Sequence, residues 1–114
     1  MKSFIVAMTL MASTTLACAQ YQGVAAADGA TYVAVEQGGT AREAEANARD
    51  DCRSSTNGRA CKAISARANN HFVVVKCGAY VHMGADSTTR EARQVARDNA
   101  GQYGHGGCRD IYAD

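Results

Sequence analysis

The chain has 114 residues, with 12 Lys and Arg against 11 Asp and Glu. That length suits one domain with a modest core, and a balance this close to neutral excludes a nucleic-acid footprint or charge-driven adhesion to anionic lipid. Domains this small often depend on covalent staples, and five cysteines are present.

The first stretch reads as an export signal. Lys2 gives a positive end, Phe4 to Met11 an apolar run, and Ala17-Cys18-Ala19 a small-residue cleavage site before Gln20. The apolar run is too short to span a bilayer. Cleavage after Ala19 removes a 1–19 signal peptide and leaves a single domain, 20–114, in the periplasm or outside the cell. Lys2 is the only charged residue lost, so 11 basic and 11 acidic side chains remain. A competing reading keeps Cys18 as a lipid-carrying first residue. Thr15 stands where such signals place an aliphatic side chain, which favours plain cleavage.

Downstream, Val24 to Ala27 is a short apolar strand and Asp28-Gly29 a hairpin signal. Thr31 to Glu36 alternates as a strand. Thr40-Ala-Arg-Glu43 fits a capping box and opens a helix over about 41–53, with Ala41, Ala44, Ala48 and Cys52 on one stripe. Residues 54–58 form a loop by composition, 61–67 a strand, and 68–70 a turn. Phe72 to Val75 is a buried strand, Cys77-Gly78 takes the hairpin position, and Tyr80 to Gly84 is a strand. Thr88-Thr-Arg-Glu91 repeats the capping box before a helix over about 89–103 with Ala92, Ala96, Ala100 and Tyr103 in line. Gly104-His-Gly-Gly107 stops it, and 108–113 is the last strand.

The two halves match without a gap at a spacing of 48 positions. Tyr32 and Tyr80, Thr40 and Thr88, Arg42 and Arg90, Glu43 and Glu91, Ala48 and Ala96, and Asp50 and Asp98 are among the identical pairs. The reading is two ββαβ repeats, about 22–67 and 72–113, in an α+β domain. A roughly six-stranded, mostly antiparallel sheet would carry both helices on one face.

Whatever the fate of Cys18, four cysteines remain, an even number in an exported chain. Of the three pairings, Cys52–Cys61 and Cys77–Cys108 are favoured. Cys61 and Cys108 are equivalent in the repeats after a one-residue deletion, but the counterpart of Cys52 is Ala100. By loop entropy the two closures contribute about 2.7 and about 3.7 kcal/mol.

Strand alternation puts Val33, Val35, Val81, Met83, Ile64 and Ile111 under the helices. It puts Tyr32, Tyr80, His82, Ser65 and Tyr112 on the opposite, open face. Tyrosine suits surfaces with one dry and one wet side, so Tyr32, Tyr80, His82 and Tyr112 form one candidate binding surface. Arg90, Arg93 and Arg97 stack on the second helix and form a second, suited to an acidic partner.

Reactive chemistry is sparse. His71, His82 and His105 show no helical i,i+4 spacing, and no C-x-x-C pair exists, so neither a metal nor a cofactor is expected. Gly104-His-Gly-Gly107 resembles an esterase oxyanion loop but lacks the G-x-S-x-G elbow. Oxidised cysteines leave no thiol nucleophile beside His82 or His105. The neighbouring carboxylates Asp50/Asp51 and Glu43/Glu45 read as a solvated helix face.

Several motifs together resemble a bacterial exported family called domain of unknown function 4189. They are Gly23-Val-Ala-Ala26, Gly29-Ala-Thr-Tyr32, Thr40-Ala-Arg-Glu-Ala-Glu45, Ala48-Arg-Asp-Asp-Cys52, Cys61-Lys-Ala-Ile64, Gly78-Ala-Tyr80 and Thr89-Arg-Glu-Ala92. The family's Asn-x-Cys is Asn69-Asn-His71 here, with Cys77 downstream, and its tryptophans are absent. The resemblance implies a fold and an exported address, and no catalytic residues. The expected function is a disulfide-stapled, non-enzymatic module that binds another protein of the cell envelope, such as an inhibitor or immunity protein of a hydrolase. The alternatives are an envelope enzyme acting on glycan or peptide, which needs a pocket around His82 or Glu36, and a self-associating structural module, a homodimer paired through its tyrosine faces.

Overall fold

Alternating apolar runs and capped alanine stripes become six strands and two helices in the computed structural model, which describes residues 20–114. In order these are β1 (Tyr21–Ala27), β2 (Val33–Gly38), α1 (Ala41–Ser55), β3 (Cys61–Arg67), β4 (His71–Cys77), β5 (Tyr80–Asp86), α2 (Thr89–Gln102) and β6 (Cys108–Ala113). The element order ββαβ therefore occurs twice in an α+β chain. The predicted signal peptide and Cys18 lie outside the described residues. Among those described, no helix is long and apolar enough to cross a membrane.

The sheet differs from expectation. The strands form two three-stranded antiparallel sheets, ordered β2-β1-β3 and β5-β4-β6, in place of a single six-stranded one. Each half satisfies its own backbone. Val24 of β1 sits opposite Val35 of β2 and Ile64 of β3, and Val74 of β4 opposite Met83 of β5 and Tyr112 of β6. With β1 and β4 bonded on both edges, the edges left are those of β2, β3, β5 and β6.

Each helix covers its own sheet. Ala48 and Cys52 of α1 pack on Ala25, Ala27 and Ala34. Ala92, Ala96 and Ala100 of α2 pack on Val73, Val75 and Cys77. The two remaining sheet faces close on each other. Val24 and Ala26 of β1 meet Phe72, Val74, Val81 and Met83, with Val33, Ile64, Ile111 and Tyr112 packed around them. The layers run helix, sheet, sheet, helix, so both helices do not share a face. The sheet face turned away from the helices, expected to be open and to carry Tyr32, Tyr80 and His82, is the interior of the molecule. Tyr32 and Tyr80 lie exposed on the other side.

Close helix approach explains the sorting. A Cβ at Gly23 would lie 2.3 Å from the carbonyl oxygen of Ala44, and one at Gly84 2.3 Å from that of Ala92. Helices this near the sheet sit over small residues, and the bulky side chains turn to the other side. Val33, Val81, Met83, Ile64 and Ile111 therefore face the opposing sheet, not the helices. Val35, on edge strand β2, is 36% exposed. A register shift at Val74/Val75 leaves Ile111 as the extra residue of β6. This bulge breaks strict alternation, so Tyr112 leans into the same core as Ile111.

The capping threonines act as predicted on their amides: Glu43 N donates to Thr40 Oγ1 and Glu91 N to Thr88 Oγ1, each at 3.1 Å. The return arms differ from the simple box. Glu43 Oε1 accepts from the Gly39 amide, and Glu91 Oε1 from the Ser87 and Thr88 hydroxyls. The buried stripes are Ala44, Ala48, Cys52 and Ala92, Ala96, Ala100. Ala41 is exposed, and Tyr103 is the C-cap of α2 with 70% of its surface open. The disulfides are Cys52–Cys61 and Cys77–Cys108.

Candidate functional site

Where α2 ends, the chain turns through Tyr103 and Gly104, whose φ is +71° and suits glycine. The turn returns His105 over β5. Its ring stacks on Tyr80 at 3.9 Å between centroids and 8° between planes. His105 Nδ1 lies 2.8 Å from Nε2 of His82, which is only 6% exposed. Tyr103 lies near both imidazoles, at 5.7 Å from the His82 ring and 6.0 Å from that of His105. These four rings come from residues that are up to 25 positions apart in sequence (80, 82, 103 and 105).

All four line a cleft of about 640 Å³. Lys62 and Ile64 of β3 line it too, with Val81, Met83, Asn99 and Gln102. The size falls within the range that holds small ligands. β5 is an edge strand, and three side chains occupy its outward backbone groups. Asp28 Oδ1 accepts from the Val81 amide at 2.9 Å, Lys62 Nζ donates to the Val81 carbonyl at 3.0 Å, and Asn99 Nδ2 donates to that of Met83 at 3.0 Å. The edge is thus closed to strand pairing there. Lys62 and Asp28 also pair with each other at 3.1 Å.

The electrostatics follow from this packing. Burial disfavours ionised Asp28, but the Val81 amide and Lys62 outweigh it and hold the carboxyl below its ordinary value. Burial lowers the pKa of His82, Lys62 and His105 lower it further, and Asp28 opposes them. His82 is therefore neutral near pH 7. Its unfolded form takes up a proton near pH 6.5, which the folded form refuses. Stability is retained above that value and lost as the pH falls towards the lowered folded pKa. Urea melts between about pH 7 and 5 should show this slope, and His82→Gln should flatten it.

The sequence-predicted residues divide. Tyr80 and His82 belong to the cleft. Tyr112 is half-buried in the core between the sheets, where burial and Asp114 raise its pKa. Tyr32 is exposed in the first half and donates to Asp51 at 2.8 Å. Arg93 is tied to Asp110 at 2.8 Å, so the ridge with exposed Arg90 and Arg97 is interrupted. Asp28, Lys62, Asn99, Tyr103 and His105 were not read as a site. The sequence places Asp28 in a hairpin turn, Tyr103 on a helix stripe and His105 in a loop. The local signal is the Gly-His-Gly-Gly turn between Tyr103 and Cys108.

A carboxylate pair also forms, but it is Glu36 with Asp51, neither of the neighbouring pairs in the sequence. The hydrogen bond between them raises the Glu36 pKa and lowers that of Asp51. Among the described residues, no three His, Cys, Asp or Glu side chains gather as metal ligands. His82 and His105 face each other at hydrogen-bonding distance. No family model, no curated protein and no solved structure matches the chain.

Proposed function

We propose that this is an exported binding module that holds a component of the cell envelope in the cleft between β3, β5 and the end of α2. The observation that carries the reading is the cleft itself, with two largely exposed tyrosines, Tyr80 and Tyr103, at 46% and 70%, beside a buried histidine. Exposed aromatics beside fixed polar groups provide binding area with little loss of side-chain freedom. The two disulfides suit an oxidising compartment, and the exported family that the sequence resembles agrees with that setting. An inhibitor or immunity role is one form of this reading, in which a protein partner inserts a side chain. The matching halves suit a tandem duplication.

The immobilised protein should retain a ligand from envelope extract, and Tyr80→Ala/Tyr103→Ala should lower retention at least about tenfold. Arg90→Glu/Arg97→Glu should retain as much as the parent. Equal retention by the tyrosine double variant would refute the reading.

A second reading is hydrolysis of a glycan or peptide bond. It draws on the buried His82, bonded to His105 within a cleft and beside Asp28. A proton-transferring pair in such a place is a reasonable acid–base apparatus. It predicts that His82→Gln keeps binding and loses turnover; envelope substrate left intact by the parent protein would rule it out.

A further inference from the structure

The two halves treat the same place in opposite ways. In the first, Tyr32 faces Asp51, and Glu36 bonds to that carboxylate. The residues 48 positions later are Tyr80, Asn99 and Gly84. Both carboxylates are gone. A glycine stands for one, and an amide for the other, which serves the Met83 carbonyl. The second half thus loses negative charge and bulk beside its tyrosine, and it is here that the cleft opens.

The charges that do line the cleft are spent on each other. Lys62 is held by Asp28 at 3.1 Å and by the Val81 carbonyl at 3.0 Å. His82 is kept neutral by burial. Because Lys62 and Asp28 already pair with each other, the cleft presents no net charge to attract an ionic ligand. A wholly apolar ligand would strip water from the Gln102 amide and from the tyrosine and histidine polar atoms without replacing those bonds. The lining therefore suits a neutral ligand with one apolar face and a rim of hydroxyls or amides.

We infer that the cleft takes the neutral pyranose ring of a glycan, stacked by its C–H face on the exposed Tyr103, with its polar rim bonded to the imidazole pair and Gln102. This deepens the binding reading above and depends on it. The cleft's volume, about 640 Å³, exceeds a single sugar ring and accommodates a short chain end. Stacking on an exposed aromatic contributes up to about a tenfold factor in affinity per ring.

The test is a titration of ¹⁵N-labelled protein with the neutral trimer of β-1,4-linked N-acetylglucosamine, with trigalacturonate as an anionic comparator. Saturable shifts confined to residues near Tyr80–Met83 and Gln102–His105 are expected with the neutral trimer alone. Tyr103→Ala should weaken them about tenfold. Tyr103 is 70% exposed, so its removal should leave the thermal melt unchanged, and that melt is the control for folding. Shifts with trigalacturonate alone would overturn the neutral-sugar assignment and leave the cleft as the binding site. Silence with both sugars, together with tyrosine-dependent retention of a protein from envelope extract, would do the same. Silence with both sugars and no dependence of retention on the tyrosines would overturn both readings.

Discussion

Cys77→Ala/Cys108→Ala should lose about 3.7 kcal/mol of unfolding free energy, read from urea or guanidinium melts against the parent. The bond joins the end of β4 to the start of β6 over a separation of 31 residues. β5, α2 and the turn that carries His105 lie within that closed loop. Without the bond, the unfolded ensemble recovers the freedom of the whole segment. The corresponding loss for Cys52→Ala/Cys61→Ala is smaller, about 2.7 kcal/mol, because its separation is 9. A domain of this size has roughly 5–15 kcal/mol in all, so either loss is a large share. The longer bond also matters more to the cleft. Cys108 lies three residues after His105, and freeing it loosens the turn that stacks His105 on Tyr80. A double variant as stable as the parent would mean that the reduced chain is already confined in its unfolded state.

Much of the secondary structure was legible from local chemistry. Capping threonines, alanine stripes and hairpin glycines act within a few residues, so both helices and all six strands fall close to where the sequence puts them. The partition of faces was not. Alanine stripes imply a close helix, and a close helix implies small residues beneath it. Gly23, Gly84, Ala25 and Ala34 satisfy that rule, but the branched residues of β2 and β5 were the more conspicuous alternation and drew the opposite assignment. The number of sheets was hidden for another reason. Whether hairpins join into one sheet depends on which edges meet, and edge pairing is a long-range choice that no single strand encodes. The cleft was hidden likewise. Asp28 and Val81, or His82 and His105, meet only because the halves pack and α2 turns back. The sequence showed them as one turn residue and two unrelated histidines.

The sheet-on-sheet arrangement makes the sharper test of the fold at Phe72. This side chain is fully buried in the core between the sheets, amid Val24, Val74, Val81 and Met83. It comes from β4, the middle strand of its sheet, where backbone bonds on both sides limit relaxation into a hole. Phe72→Ala should therefore cost about 3–5 kcal/mol, the sum of lost transfer energy and an unfilled cavity. Val73→Ala, its neighbour under α2, is a useful contrast. That truncation removes fewer methyl groups from a helix–sheet layer, so its cost should be smaller. Had both helices shared one side of a single sheet, Phe72 would lie on the uncovered side, and its truncation would cost little. Denaturant melts of the two variants thus separate the arrangements: a loss at Phe72 that exceeds the loss at Val73 supports packed sheets, and a near-silent Phe72→Ala would show that the two sheets do not close on each other in solution.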